Sequence, residues 1–265
     1  MKRATRSNLI LLGIVAVLGI AAALKVQREL GQFEPPLGTL DPDTVRQVTV
    51  ACLQCPSARR FERTDGHWRM LEPYALPADD NQVDRLVAIA ASPVRSRRPL
   101  ASLDAAKIGL DPPLMTLAID ALQLRIGRTD ALNGDRYIAV GDTIAMVPDR
   151  FSPFLLAAPA GELDRHLVPR GSTLASLRVD GVERPELAVA WMQAEASRVA
   201  ASAGQKSAGT FATAELRLRD GSDIRYAIVL DADTAIARRD QPALDFALAP
   251  GQVQLLLGDA GVGSR

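Results

Sequence analysis

MTLAIDALQLRIGRTDALNGDRYIAVGDTIAMV, residues 115–147, breaks into four short runs in which apolar residues alternate with polar ones. Such alternation puts every second side chain on one face of a strand. The runs are Met115–Ile119, Leu122–Ile126, Tyr137–Val140 and Thr143–Val147. Asp120-Ala121, Asn133-Gly134-Asp135 and Gly141-Asp142 separate them, and all three have turn chemistry. Connections this short cannot carry a crossover, so the strands form an antiparallel meander.

Upstream of the meander, Val45–Leu53 alternates as a strand and is followed by a turn at Cys55-Pro56-Ser57. Arg59–Arg63 and His67–Leu71 form a hairpin across Thr64-Asp65-Gly66, with glycine where a positive φ is needed. Asp79 with Gln82 three residues on marks a helix start, and Val83, Leu86, Val87 and Ala90 share its apolar face. That helix ends before Pro93, and a shorter helical turn runs from Ser102 to Gly109.

Downstream the same plan recurs. Leu174–Val179 and Leu187–Trp191 make a hairpin across Asp180-Gly181, and an Ala-rich helix spans Gln193–Ala203. Strands follow at Ala214–Arg219, Ile224–Leu230, Thr234–Arg238 and Gln252–Leu257. Hairpin, helix and meander thus occur twice, which predicts a degenerate duplication. Trp68 and Trp191 stand just before the two helices, and Trp68, Trp191 and Tyr137 are the expected core aromatics. The expected class is α+β, with two similar antiparallel-sheet units and helices on one face of each. The units divide as 45–169 and 170–265, with FSPFLLAAPA (151–160) packed as a connector between them.

At the N-terminus, Lys2, Arg3 and Arg6 precede an uncharged run from Leu9 to Leu24. Those residues span about 24 Å as a helix, and flanking residues with a snorkelling Lys25 bring this close to a ~30 Å hydrocarbon core. Residues 1–27 are expected to be a transmembrane anchor, with the positive-inside bias sending the body outward. A cleaved signal peptide is the alternative, because Ala21-Ala22-Ala23 satisfies the small-residue pattern. The Pro-rich residues 28–44 are expected to be a tether.

Composition narrows the function. Thirty-one basic residues balance 31 acidic ones, which argues against a nucleic-acid partner. Aromatics make up only 4%, too few for base or sugar stacking platforms. Cys52 and Cys55 could form a local disulfide, remain free thiols, act as a redox pair or belong to a metal site. A disulfide is the expectation. A redox thiol wants a helix N-terminus, whereas this pair follows a strand, and His67 and His166 are the only histidines available to complete a metal site. Asp79, Asp80, Asp104 and Asp111 fall where capping and turns explain them. The Arg95-Ser96-Arg97-Arg98 cluster could pair with phospholipid head groups or an acidic patch on a partner, and a solvated loop is the expectation. No residue is expected to be catalytic, cofactor-binding or metal-ligating.

Several motifs fall together in order between Trp68 and Pro169. They are Gly66-His67-Trp68, Pro73-Tyr74, Pro77-Ala78-Asp79, Ile108-Gly109-Leu110-Asp111-Pro112-Pro113, Asn133-Gly134-Asp135-Arg136-Tyr137, Val140-Gly141-Asp142 and Val147-Pro148-Asp149. With them the chain resembles domain-of-unknown-function family 4340, and the C-terminal half follows the family pattern only loosely. The resemblance implies an envelope protein anchored in a bacterial inner membrane, in some cases linked to auxiliary components of gliding-motility-type ABC transporters. It carries no catalytic residues. The expected function is a non-enzymatic, membrane-tethered periplasmic adaptor with an envelope protein as partner. A ligand-binding module using a cleft between two lobes is the alternative, and a cell-wall or polysaccharide enzyme is a remote one.

Overall fold

Two antiparallel sheets, one after the other along the chain, hold most of the regular structure in a computed structural model that describes residues 12–22, 34–55, 57–202, 209–231, 234–249 and 251–258. Helices are few and short, so the chain is mostly β. The first sheet contains β1 (Gln47–Cys52), β2 (Arg59–Thr64), β3 (His67–Glu72), β4 (Ser96–Pro99), β5 (Met115–Ile119), β6 (Leu122–Thr129), β7 (Asp135–Val140) and β8 (Thr143–Pro148). Its order is β3-β2-β1-β5-β6-β7-β8-β4. The second contains β9 (Leu174–Val179), β10 (Val182–Glu183), β11 (Arg198–Ala201), β12 (Thr210–Leu218), β13 (Asp223–Asp231), β14 (Thr234–Arg239) and β15 (Leu244–Leu248). Its order is β10-β9-β12-β13-β14-β15-β11.

The wiring matches. In each sheet a long strand pairs with the first strand of a four-strand meander, and the short strand after the helix crosses over to pair with the last. The first helix, α2 (Asp80–Val87), is capped by Asp79 and buries Val83, Leu86 and Val87. It packs on β1 and β3. Strand faces follow the alternation: Met115, Leu117 and Ile119 of β5 are buried, as are Ala212, Ala214, Leu216 and Leu218 of β12. Buried residues of both sheets form one continuous cluster. The opposite face of the first sheet is not bare either. Leu110, Ala139 and Ile144 make a small second cluster under the segment carrying Leu103 and Ile108.

Four expectations need correction. The second helix, α4 (Ala188–Gln193), lies where a strand at Leu187–Trp191 was expected. Pro185 opens the preceding 3-10 turn, and the following residues, AVAWMQ, are mostly good helix formers. Conversely, Arg198–Ala201 is a strand inside the expected 193–203 helix, because pairing with Leu244–Ala247 overrides alanine's helix preference. Gln252–Leu257 is helix α5, not a strand; the Gln252 side chain accepts a 2.6 Å hydrogen bond from Ala249 N and starts it. The strand before it, β15, was not foreseen. The Arg95–Pro99 loop is instead the edge strand β4.

The expected tether is also partly built into the fold. Glu34 N donates to Val94 O (2.6 Å), Gly38 N to Ala90 O (2.9 Å), and Leu37 is buried. Residues 12–22 form helix α1, exposed along its length. Among the described residues no helix is long and apolar enough to cross a membrane. The rest of the expected anchor (1–11 and 23–27) and the spacer 28–33 lie outside the described residues.

Candidate functional site at the junction of the sheets

After β8 the chain makes a single helical turn, α3 (Ser152–Leu155), and a 3-10 turn at Pro159–Glu162, then crosses to the second sheet. The crossing residues pair with both sides. Asp79 N donates to Glu162 O (2.8 Å) and Asp164 N to Pro77 O (3.0 Å), which ties them to the first sheet's helix start. Leu167 N donates to Ala194 O (3.0 Å) and Ala196 N to Arg165 O (2.8 Å), which ties them to the segment before β11.

Charge reinforces the crossing. Arg59 on β2 is buried and pairs with Glu162, while also donating to the carbonyl oxygens of Phe154 and Leu155. Glu162 Oε2 is buried with no hydrogen-bond partner among the described residues. Burial pushes the Glu162 carboxyl up to about 7, against the pull of Arg59. Arg170 bridges the two sides through Asp80 (3.2 Å) and Asp164 (3.2 Å). His67 Nδ1 lies 2.9 Å from Asp80 and His166 Nδ1 lies 2.7 Å from Asp164, so both histidines of the chain meet in one network. Burial opposes ionisation of Asp80, yet the Trp68 amide, His67 and Arg170 together hold it below the usual carboxylate range.

Beside this network a cleft of about 560 Å³ opens between α2 and β11. Asp79, Asp84, Arg85, Arg165 and Arg198 line it, and no aromatic side chain does. Its carboxylates are spoken for. Asp79 caps α2 and lies 3.8 Å from Arg165, and Asp84 accepts from Arg63 and from Trp68 Nε1, both at 2.8 Å. Arg165 also pairs with Glu195 at 2.6 Å. Arg85 lies over the Phe154 ring, 5.1 Å from its centroid. No carboxylate among the described residues bonds Arg85 or Arg198, so the cleft carries a positive surplus.

The residues singled out from the sequence scatter around this junction. Trp68 and Trp191 are both buried, but not in equivalent places: Trp68 is on β3, Trp191 inside α4. Trp191 donates to Leu256 O (2.9 Å) and lies 5.8 Å from Tyr226. Tyr137 is half-buried in the small second cluster rather than in the main core. Cys52 and Cys55 are joined as a disulfide across the turn after β1, with Cα atoms 5.2 Å apart. Arg97 holds the carbonyl oxygens of Pro35 and Pro36 (2.8 Å each), and Arg95 pairs with buried Asp135 at 2.7 Å. Arg95 and Arg98 are the exposed members of the basic cluster. Asp104 caps its own turn. Among the described residues no three histidine, cysteine or acidic side chains are grouped to hold a metal ion. The junction residues Arg59, Glu162, Asp164, Arg165, Arg170 and Arg198 were not picked out. For Glu162, Asp164, Arg165 and Arg170 the one signal is a dense charge run, Glu162 to Arg170, beside an apolar connector; Arg59 and Arg198 carry none.

No curated protein and no solved structure matches the chain. A model for the family described as Domain of unknown function (DUF4340) matches residues 68–220, from β3 across the junction into the second sheet and well beyond Pro169. That is more than half of the chain, which therefore belongs to the DUF4340 family.

Proposed function

We propose that this chain is a non-enzymatic adaptor, tethered to the inner membrane through residues 1–27, whose folded part sits in the periplasm and binds another envelope protein. An ABC transporter complex is the partner class we favour. The observation that carries this reading is the junction cleft. It is open, charged and without aromatic rings, whereas small-molecule sites are mostly apolar with a few convergent polar groups. Docking of residues 34–38 on the first sheet supports the tethering, because it leaves only residues 28–33 as spacer. At about 3.3–3.6 Å per residue, that spacer would keep the fold within roughly 20 Å of the bilayer. A short leash suits a protein that works on a membrane-embedded neighbour.

Affinity purification of the full chain from membranes, with a topology reporter fused after Arg265, tests the proposal. A transporter or envelope subunit should be recovered in stoichiometric yield, and the reporter should be active only in the periplasm. Recovery of a mature chain that begins near Leu24 would remove the anchor but not the export. A cleft that instead takes a periplasmic small molecule would favour the ligand-binding alternative.

A further inference from the structure

The strands of the first sheet end in two unlike rims. At one rim the turns β2–β3, β5–β6 and β7–β8 carry Asp65, Asp120 and Asp142, all exposed. At the other lie the connection after β1, the β6–β7 loop and the end of β8. There the tips are apolar: Leu53 is 60% exposed and Leu132, in the β6–β7 loop, is 91% exposed. Only β5 separates β1 from β6, so the two connections start about 10 Å apart across the sheet. Both tips are held in place. The Cys52–Cys55 disulfide and a hydrogen bond from Leu53 N to Leu114 O (3.0 Å) fix the first. Asp130 shapes the second by accepting from Asn133 N (3.1 Å).

One exposed leucine needs no explanation. Two on neighbouring tips do, because the N-terminal segment enters at the same rim: Glu34 N donates to Val94 O just before β4, and Arg95 N to Met146 O of β8. Arg128, before the β6–β7 loop, and Arg150, after β8, are exposed there, and no carboxylate among the described residues bonds either. Asp135 is engaged by Arg95, Asp149 by Arg136 and Glu72 by Arg60, which leaves exposed Asp111 against two guanidinium groups. We propose that this rim rests on the phospholipid surface, with Leu53 and Leu132 entering the boundary between headgroups and acyl chains and Arg128 and Arg150 on lipid phosphates. The aspartates of the other rim then point away from those phosphates. A spacer of residues 28–33 reaches no more than roughly 20 Å, which keeps the rim within range of the bilayer. This inference rests on the tethering proposed above and names the side of the fold that the membrane meets.

The test places the full chain in protein-free vesicles of phosphatidylethanolamine with phosphatidylglycerol. The two cysteines of the chain are bonded to each other, so an introduced cysteine takes an environment-sensitive fluorophore alone. At Asn133→Cys its emission should shift to the blue and be quenched by spin-labelled lipid, whereas at Asp142→Cys, on the opposite rim, it should stay as in water. Leu53→Asp with Leu132→Asp should abolish the shift at position 133. Arg128→Glu with Arg150→Glu should weaken it, more in low salt than in high salt. Circular dichroism of each variant separates lost docking from lost fold. A water-like probe at position 133, an equal shift at both rims, or a shift that survives the two aspartates in a folded variant overturns the proposal. So does a shift seen in native membranes but not in protein-free vesicles, which would assign the rim to a protein partner. Flotation of the vesicles after a salt wash reads the tether separately. A chain that stays with the vesicles while its probe at position 133 reads water keeps the anchor and loses the docking. A chain stripped by salt after showing the shift loses the anchor and keeps the docking.

Discussion

In the first sheet the segment leading to β1 lies along residues 90–94; in the second the segment leading to β9 lies along residues 194–196. From β1 and β9 onward the strand orders match, and so do these leading segments, yet their outer sides differ. The leading segment of the second sheet is paired on both sides, because Pro77 to Asp79 of the first sheet take its other edge. The aromatic cores differ as well. Trp68 answers to its neighbouring helix through Asp84, whereas Trp191 belongs to a Trp191–Tyr226–Phe246 cluster closed by the C-terminal helix. Duplicated wiring therefore does not demand duplicated packing. A helix can slide along its segment as long as a large ring still fills the space beneath it.

The comparison can be broken most directly at the tryptophans. Trp68→Ala and Trp191→Ala should each cost about 3–5 kcal/mol, a large part of a domain's ~5–15 kcal/mol. Because one apolar cluster spans both sheets, calorimetry of the wild type should show one transition. Two well-separated transitions, each moved by only one of the substitutions, would make the sheets independent.

Next in size is the buried pair at the crossing. Glu162→Ala leaves Arg59 charged and unpaired in the interior and should cost about 3–5 kcal/mol. The pH dependence has a definite sign. Burial raises the Glu162 carboxyl from 4.5 in the unfolded chain to about 7 in the fold. Its stabilising contribution is thus complete below 4.5 and is lost as pH rises through about 7. Melting temperatures of wild type and Glu162→Gln should diverge over that window, with the wild type falling relative to the variant. A wild type that gains on the variant as pH rises would mean that attraction to Arg59 outweighs burial.

Smaller effects probe the ties themselves. Arg170→Ala removes a half-exposed bridge between Asp80 and Asp164 and should cost about 1 kcal/mol. Arg97→Ala should cost no more globally, but it should speed proteolysis within residues 34–44 while leaving the crossing at 162–167 resistant. Equal cleavage at both places would contradict the difference in their pairing. Cys52→Ser should have the least effect, because the bridge closes a very short loop and so restricts the unfolded chain little.

Legibility in the sequence followed how local each signal was. The meander β5–β8 was readable in its order and turns, because Asp120-Ala121 and Gly141-Asp142 leave a chain no choice but to turn back, although β6 runs three residues past its expected end and β7 begins two before its expected start. The edge strands β4, β10 and β11 were not. They are two to four residues long and contain Arg, Pro, Ala and Glu, and only pairing with distant strands makes them strands. The apolar run Gln252–Leu257 is ambiguous between strand and helix on periodicity alone. Glu34 to Gly38 lacks periodicity because it is held by the carbonyl oxygens of Val94 and Ala90 and buries a single apolar side chain, Leu37. The junction stayed hidden for a related reason. Arg59 and Glu162 stand 103 residues apart, and each alone looks like an ordinary surface charge.

The double pairing of residues 162–167 also has a mechanical meaning. Swinging one sheet away from the other would have to break either the main-chain hydrogen bonds at Pro77 and Asp79, together with the Arg59–Glu162 pair, or those at Ala194 and Ala196. Among the described residues, Glu34 and β11 are thus linked through main-chain pairing at residues 90–94 and 194–196.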